Sequence, residues 1–132
     1  MAIKGLTKVD LIFETVDARE VLEKAFKMTS EEIIKQLLES GLKGRGGAGF
    51  PTGLKWKYTA SEKSAEKYIV CNADEGEPGT FKDREILDRV AMKVYGGMAI
   101  AGKAIGAKTG IVYLRGEYRF LLLTTTPSSS TK

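Results

Sequence analysis

Residues 68–71, Tyr-Ile-Val-Cys, and residues 111–114, Ile-Val-Tyr-Leu, are the two short runs that decide the fold. Each run is rich in β-favouring residues and is bounded by turn-forming residues, so each predicts a buried strand. Helical periodicity resumes near residue 82 and continues to about residue 104, with a break expected at Gly96-Gly97. A strand, a long helix and a second strand make a right-handed βαβ crossover, which predicts a parallel sheet.

Two shorter helices are predicted before this βαβ unit. Residues 17–27 have apolar side chains at helical spacing, with Asp17 in the N-cap position. Residues 29–32, Thr-Ser-Glu-Glu, form a capping-box pattern that begins the next helix. Gly41 supplies the stop for that helix, because glycine readily adopts the left-handed conformation of a C-terminal cap.

The length of the chain, 132 residues, fits one compact domain. Residues 1–16 lack periodicity and predict an irregular arm or a short strand near residues 11–13. Residues 17–120 are predicted to form the domain. Residues 121–132 end in a Ser/Thr-rich sequence, which predicts a low-complexity tail.

Composition excludes several kinds of site. The sequence has no His and a single Cys, so a His-based triad, an internal disulfide, a zinc site and a bound iron–sulfur cluster are excluded. Cys71 lies within the first strand and is predicted to be a buried, unreactive residue. The net charge of +4 suits a phosphate-bearing ligand or an acidic partner and falls short of a nucleic-acid-binding protein. Because no apolar run has the length of a membrane span or signal peptide, we expect a cytoplasmic chain without direct membrane insertion.

The glycine segment, defined here as residues 41–53, contains six of the 15 glycines. Residues 44–49, Gly-Arg-Gly-Gly-Ala-Gly, satisfy the pattern G-x-G-x-x-G, but a dinucleotide fingerprint follows a strand and opens a helix, whereas this segment follows a helix. A P-loop is also excluded, because Trp56 stands after Lys55 where Ser or Thr is required. Clustered glycines still let the backbone approach a ligand and direct its N–H groups inward. The alternative is a tight connector packed on the sheet, and the interleaved Arg, Phe and Lys favour ligand binding.

The acidic segment, defined here as residues 72–79, follows the first strand and has the sequence Asn-Ala-Asp-Glu-Gly-Glu-Pro-Gly. Open α/β sheets bind ligands at the carboxyl ends of their strands. Three carboxylates would repel a phosphate, so they suit hydrogen bonds from ligand hydroxyl or ring N–H groups. The alternative is a solvated loop whose negative charge caps the helix near residue 82.

Three motifs in this order carry a resemblance to a known family. They are residues 40–56, Ser-Gly-Leu-Lys-Gly-Arg-Gly-Gly-Ala-Gly-Phe-Pro-Thr-Gly-Leu-Lys-Trp, residues 71–84, Cys-Asn-Ala-Asp-Glu-Gly-Glu-Pro-Gly-Thr-Phe-Lys-Asp-Arg, and residues 113–118, Tyr-Leu-Arg-Gly-Glu-Tyr. The chain resembles the N-terminal part of the FMN-binding 51-kDa-type subunit of NADH dehydrogenase (respiratory complex I). It also resembles the related diaphorase subunits of NAD(P)-linked hydrogenases and formate dehydrogenases.

The resemblance implies a Rossmann-like three-layer α/β/α FMN-binding domain with a parallel sheet, incomplete in this chain. It implies an oxidoreductase in which FMN accepts hydride from NADH or NADPH and electrons leave through iron–sulfur clusters. Those clusters would lie on the family's C-terminal part or on the iron–sulfur subunits of a larger redox complex. The isolated chain is therefore expected to be inactive, and a truncated, non-catalytic scaffold or assembly module is the alternative.

The resemblance also implies the roles of individual residues. Arg45 and Lys55 would contact FMN, and Phe50 would stack on the NADH adenine. Asn72, Asp74 and Glu75 would hold the flavin, and Glu77 would help to seat NADH. Catalysis is left to FMN, and no metal site is predicted. The candidate cofactor-binding residues are Gly44, Arg45, Gly46, Gly47, Ala48, Gly49, Phe50, Lys55, Asn72, Asp74, Glu75 and Glu77.

Overall fold

A computed structural model describes residues 11–124 of the chain. The elements in chain order are α1 (Ala18–Lys27), α2 (Ser30–Ser40), α3 (Thr52–Ser61), β1 (Tyr68–Ala73), α4 (Lys82–Ile105), β2 (Thr109–Leu114) and a 3₁₀ helix, η1 (Gly116–Thr124). Residues 11–16 form an irregular arm without a strand, in agreement with the first of the two alternatives for this stretch. The rest of the predicted arm, residues 1–10, lies outside the described residues.

The caps of the first two helices confirm the sequence prediction. The Asp17 carboxylate accepts hydrogen bonds from the backbone N–H groups of Arg19 and Glu20, at 2.9 and 3.2 Å. Thr29 and Glu32 form the reciprocal capping box. The Thr29 backbone N–H donates to the Glu32 carboxylate at 2.7 Å, and the Glu32 backbone N–H donates to the Thr29 hydroxyl oxygen at 3.2 Å. Gly41 ends α2 with φ of 66°, in the left-handed region that favours glycine.

The βαβ unit is also confirmed. Strands β1 and β2 pair in parallel, with Tyr68 opposite Thr109 at one end and Ala73 opposite Leu114 at the other. Their connection is α4, which has one irregular residue, Val90, with φ of −140° and ψ of 33°. The break expected at the glycine pair at positions 96 and 97 is therefore wrong. Glycine adopts helical angles as well as others, so a glycine pair does not by itself interrupt a helix.

Helix α4 packs against the sheet and against α1–α3. On the sheet side, Leu87 packs with Ala73 and Leu121, and towards the other helices Ala104 packs with Ile33 and Ile34. The opposite face of the sheet is exposed among the described residues, through Tyr68, Val70, Ile111 and Tyr113. Residues 11–124 thus form a partial Rossmann-like α/β fold, as expected for an incomplete α/β/α domain, with helices on one face of the sheet.

Two elements were not predicted. Helix α3 has apolar or aromatic side chains at every second position, namely Leu54, Trp56, Tyr58 and Ala60. This spacing is typical of strands, so the sequence pattern does not predict the helix. Helix η1 extends to Thr124, so the predicted start of a tail at residue 121 falls inside it. Leu121 is only 4% exposed, because it packs against Ala73 and Leu87. Residues 125–132 of the predicted tail lie outside the described residues.

Replacing Gly53 with Ala is expected to destabilise the fold by about 1–3 kcal/mol, the usual cost of overpacking a tight contact. A Cβ at Gly53 would stand 2.8 Å from both the backbone nitrogen and Cγ of Leu38, where α3 meets α2. The control is Gly96→Ala within α4, where no atom lies within 4 Å of the added Cβ. That change should stabilise the protein by about 0.5–1 kcal/mol. Urea denaturation measures both changes, and equal stability of Gly53→Ala and wild type would contradict the prediction.

Candidate functional site

The glycine segment forms a narrow loop between α2 and α3. The Gly44 N–H donates to the carbonyl of Phe50, and the Thr52 N–H donates to the carbonyl of Leu42, both at 2.9 Å. These bonds close the base of the loop and leave residues 45–49 at its tip. Gly47 and Gly49 have φ of 106° and 63°, so the shape of the tip depends on glycine at these two positions.

The tip of the loop offers unpaired hydrogen-bond donors. The backbone N–H groups of residues 45–49 make no hydrogen bond within the part of the chain that the structure describes. Helix α3 begins directly after the loop, with Pro51 at its N-cap and no side-chain cap. The loop therefore precedes a helix, which was not predicted. It differs from a dinucleotide fingerprint in following a helix, α2, where the fingerprint follows a strand. Free N–H groups beside a helix N-terminus suit an anionic group.

A cavity of about 890 Å³ lies between the glycine segment, α3, α4 and β1. This volume falls in the range of cofactor-binding clefts. The predicted residues that line it are Gly44, Gly46, Ala48, Gly49, Phe50 and Lys55. Trp56 also lines the cavity while packing against the core formed by Ile33, Ile34 and Ala104.

Cys71 lies where β1 borders this cavity. Its side chain is partly buried against the core formed by Ala73, Leu87 and Leu121. Burial raises the pKa of the thiol, and the negative charge of Asp83 raises it further. The thiol is therefore held in its neutral form, which agrees with the prediction of an unreactive residue.

The acidic segment continues β1 at the carboxyl edge of the sheet, immediately beyond Cys71. None of its predicted ligands, Asn72, Asp74, Glu75 and Glu77, lines the cavity. The Asn72 side-chain oxygen accepts a hydrogen bond from the Asp74 N–H at 3.2 Å. The carboxylates of Asp74 and Glu77 accept no hydrogen bond from any described residue, so they are available to a ligand. The structure thus places residues of the glycine segment at the cavity and does not bring the predicted acidic ligands to it, and the ligand roles of both segments stay predictions.

Glu75 is the exception in this segment, because its carboxylate is already bound. It is 6% exposed and accepts hydrogen bonds from the N–H groups of Asp83 and Arg84, at 2.8 and 3.3 Å, at the start of α4. The Tyr118 hydroxyl donates a third bond at 2.7 Å. The carboxylate therefore caps α4, the alternative that the sequence analysis raised for this segment as a whole.

The residues after β2 hold the acidic segment in place. Arg115 donates from Nη1 to the Glu75 carbonyl at 2.9 Å and from Nε to the Glu117 carboxylate at 3.0 Å. Its backbone N–H donates to the Ala73 carbonyl at 3.4 Å. Neither Arg115 nor Tyr118 is among the site residues predicted from the sequence. The signal was present, because both belong to the third motif, residues 113–118.

These contacts shift two pKa values in opposite directions. Burial would raise the pKa of Glu75, but the hydrogen bonds from Asp83, Tyr118 and Arg84 together lower it below the usual 4.5. The hydrogen bond to Glu75 raises the pKa of Tyr118, and burial raises it further. At neutral pH the pair is therefore a carboxylate and a neutral phenol, the forms that their hydrogen bond requires.

Comparison with known proteins gives consistent matches. A model of the Nuo51 FMN-binding domain family matches residues 37–124. The chain is 54% identical over 105 residues to the alpha subunit of the NAD-reducing hydrogenase HoxS of Cupriavidus necator, a match that covers 80% of this chain and 17% of that relative. It is 52% identical over 99 residues to the HndC subunit of the NADP-reducing hydrogenase of Solidesulfovibrio fructosivorans, covering 75% of this chain and 20% of the relative. An NADH-quinone oxidoreductase subunit of Rhizobium meliloti is 50% identical over 107 residues, covering 80% of this chain and 25% of the relative.

A solved structure agrees with these matches. The crystal structure of an NAD⁺-reducing [NiFe]-hydrogenase in the H₂-reduced state superimposes with a TM-score of 0.78 and 45% identity. The superposition covers 85% of this chain and 19% of the hydrogenase chain. The chain thus spans a quarter or less of the length of these relatives. Within residues 11–124, none of the helices combines the length and apolar character needed to cross a bilayer.

Replacing Glu75 with Gln should lower the melting temperature at pH 7 and have less effect as the pH falls. Because the folded pKa of Glu75 lies below 4.5, the charged carboxylate stabilises the fold above that value. This stabilisation disappears as the pH falls through the lower, folded pKa. Thermal unfolding followed by circular dichroism from pH 7 to about pH 3 should show the wild-type and variant curves converging.

The control for this prediction is Glu77→Gln, an exposed carboxylate in the same segment. Its melting temperature should run parallel to the wild-type curve, because its carboxylate accepts no hydrogen bond from the described residues. A constant difference between Glu75→Gln and wild type over the whole pH range would contradict the prediction.

Proposed function

The chain belongs to the Nuo51 FMN-binding domain family, and on that premise we propose that it forms part of the flavin site of an NAD(P)H-oxidising redox complex. The observation that carries this proposal is the tip of the glycine segment. Its unpaired N–H groups adjoin the start of α3 and border a cofactor-sized cavity that Lys55 also lines. This arrangement suits a flat ligand that bears a phosphate.

The residues present fit FMN. The N–H groups at the tip, with Arg45 and Lys55, supply donors and positive charge for phosphate. Asn72 and Asp74 supply acceptors for the hydroxyl groups of a ribityl chain or a ring N–H group. When bound, FMN would accept hydride from NADH or NADPH and pass electrons on to iron–sulfur clusters. Those clusters would belong to partner subunits or to the rest of a longer family polypeptide.

Two exposed side chains suit the nicotinamide nucleotide. Phe50 lines the cavity and is 48% exposed, so its ring is available to stack on an adenine. The Glu77 carboxylate is exposed and accepts no hydrogen bond from the described residues, so it is available to a ribose hydroxyl. A cytoplasmic location and a multi-subunit complex complete the proposal.

The flavin site is incomplete in this chain. Cofactor sites normally bury most of their ligand, whereas here the cavity has helices and the glycine segment on one side and an uncovered sheet face next to it. Hydride transfer also requires that donor and acceptor be held near attack distance, which an open site does not enforce. A scaffold that retains this part of the fold without turnover is the second candidate, and the uncovered face is the observation that favours it.

Ala substitution at Gly46 or Gly47 is expected to weaken FMN binding more than it lowers the melting temperature. An added Cβ at Gly46 would meet no atom within 4 Å, and Gly46 has no left-handed φ. Gly46→Ala therefore adds no backbone strain and tests only whether the added methyl group obstructs the ligand. Gly47 has φ of 106°, so Gly47→Ala adds strain of about 1–3 kcal/mol. We expect the dissociation constant for FMN, measured by fluorescence titration, to rise about tenfold or more in both variants. The control is Gly96→Ala, and unchanged affinity in both loop variants would contradict the prediction.

The isolated chain is expected to reduce ferricyanide with NADH at a negligible rate, even with added FMN. It supplies one side of the site and no onward path for electrons, because its single Cys cannot hold an iron–sulfur cluster. The measurement compares the purified 132-residue chain with an intact flavin subunit under the same conditions. Comparable turnover would show that the site is complete. Protein that remains colourless and binds no FMN would favour the scaffold.

A further inference from the structure

The carboxylate of Glu75 has the contacts of a structural residue. It is nearly buried, and its oxygens accept hydrogen bonds from two backbone N–H groups of α4 and from the Tyr118 hydroxyl. These three bonds use most of the roughly four lone-pair sites of a carboxylate. The neighbouring carboxylates of Asp74 and Glu77 have free lone pairs, because no described residue donates to them.

The backbone at Glu75 is held in a conformation that it would not adopt freely. Its φ is +46°, in the left-handed region that residues with a Cβ rarely occupy. Such a conformation persists only where the surroundings fix it. Here Arg115 binds the Glu75 carbonyl, while Tyr118 and the start of α4 bind the side chain. Both ends of the residue are thereby fixed.

This conformation determines where the neighbouring ligand candidates lie. Asn72 and Asp74 precede Glu75, and Glu77 follows it after one residue. A change of φ and ψ at Glu75 would redirect the two sides of the segment relative to each other. The residues that fix Glu75 therefore fix the separation between Asp74 and Glu77.

We infer that Tyr118 and Arg115 are positioning residues of the flavin site, and that they act through Glu75 to fix the shape of the acidic segment. On this inference the Glu75 carboxylate shapes the segment through the bonds that it accepts from α4 and Tyr118. The inference deepens the proposed function and rests on it for the identity of the ligand. Tyr118 and Arg115 lie outside the twelve residues assigned from the sequence.

A double-mutant cycle tests whether Tyr118 acts on FMN binding through Glu75. The variants are Tyr118→Phe, Glu75→Gln and the two combined, in the full 132-residue chain. We expect each single change to weaken FMN binding about tenfold. The double variant should bind FMN no more weakly than the weaker-binding single variant, because both changes remove the contact between Tyr118 and Glu75. If the fold-increase in the dissociation constant of the double variant equals the product of the two single fold-increases, Glu75 acts on FMN independently of Tyr118, which overturns the inference.

A second measurement does not depend on flavin. Amide hydrogen exchange at Asp83 and Arg84, whose N–H groups donate to Glu75, should accelerate in Tyr118→Phe. Unchanged exchange there would overturn the inference. If the wild-type chain binds no FMN, the proposed function fails for this chain, and exchange alone then decides whether Tyr118 positions the segment. The matched control is Tyr113→Phe, which removes an exposed hydroxyl from β2 and should alter neither measurement.

The role of Arg115 is tested by a conservative change. Arg115→Lys keeps the charge but cannot donate in fixed geometry to the Glu75 carbonyl and the Glu117 carboxylate together. We expect it to weaken FMN binding several-fold and to accelerate exchange in residues 74–77. Arg119→Lys, at an exposed position in η1, is the control. Equal results for the two variants would overturn the role of Arg115.

Discussion

The structure depends on one buried carboxylate. Glu75 accepts hydrogen bonds from the first turn of α4 and from Tyr118, which follows β2. It thereby ties the end of β1, the start of the crossover helix and the residues after β2 into one unit. The first N–H groups of a helix have no partner inside the helix, and here Glu75 accepts from two of them. The negative charge of Glu75 also interacts favourably with the positive end of α4.

Most local signals that act within a few residues predicted the fold correctly, and the glycine pair at positions 96 and 97 was the exception. The capping box at Thr29, the stop at Gly41 and the two β-favouring runs were each confirmed. Helix α3 was missed because its apolar residues alternate, and its packing on α2 and α4 overrides that pattern. The bonds from Tyr118 and Arg115 to Glu75 join residues about forty positions apart, and no local pattern reports such contacts. The motif resemblance predicted the candidate site. Only the structure shows that Glu75 is bound to α4 and Tyr118, whereas the carboxylates of Asp74 and Glu77 accept no hydrogen bond from the described residues.

The glycines of this chain serve two unrelated purposes. Gly47 and Gly49 provide left-handed backbone at the loop tip, where no neighbouring atom would meet a side chain. Gly53 and Gly102 lie in helices and allow close approach, since an added Cβ would stand 2.8 Å from Leu38 in the first case and 3.1 Å from the Ala107 carbonyl in the second. Composition alone registers both as an excess of glycine. The distinction matters, because on the proposed function changes at the loop tip are expected to affect the ligand, whereas changes at the close contacts are expected to affect the fold.

The uncovered face of the sheet has a consequence for the chain in solution. Tyr68, Val70, Ile111 and Tyr113 are exposed on one face of a sheet that has two strands among the described residues, and the outer edges of these strands have unpaired backbone groups there. Parallel sheets are normally covered on both faces, and open edges beside apolar surface promote association between chains. On its own in water, the chain is therefore expected to self-associate as its concentration rises. The chain therefore needs this sheet face to be covered in order to stay soluble, as well as for any chemistry at the cavity beside it.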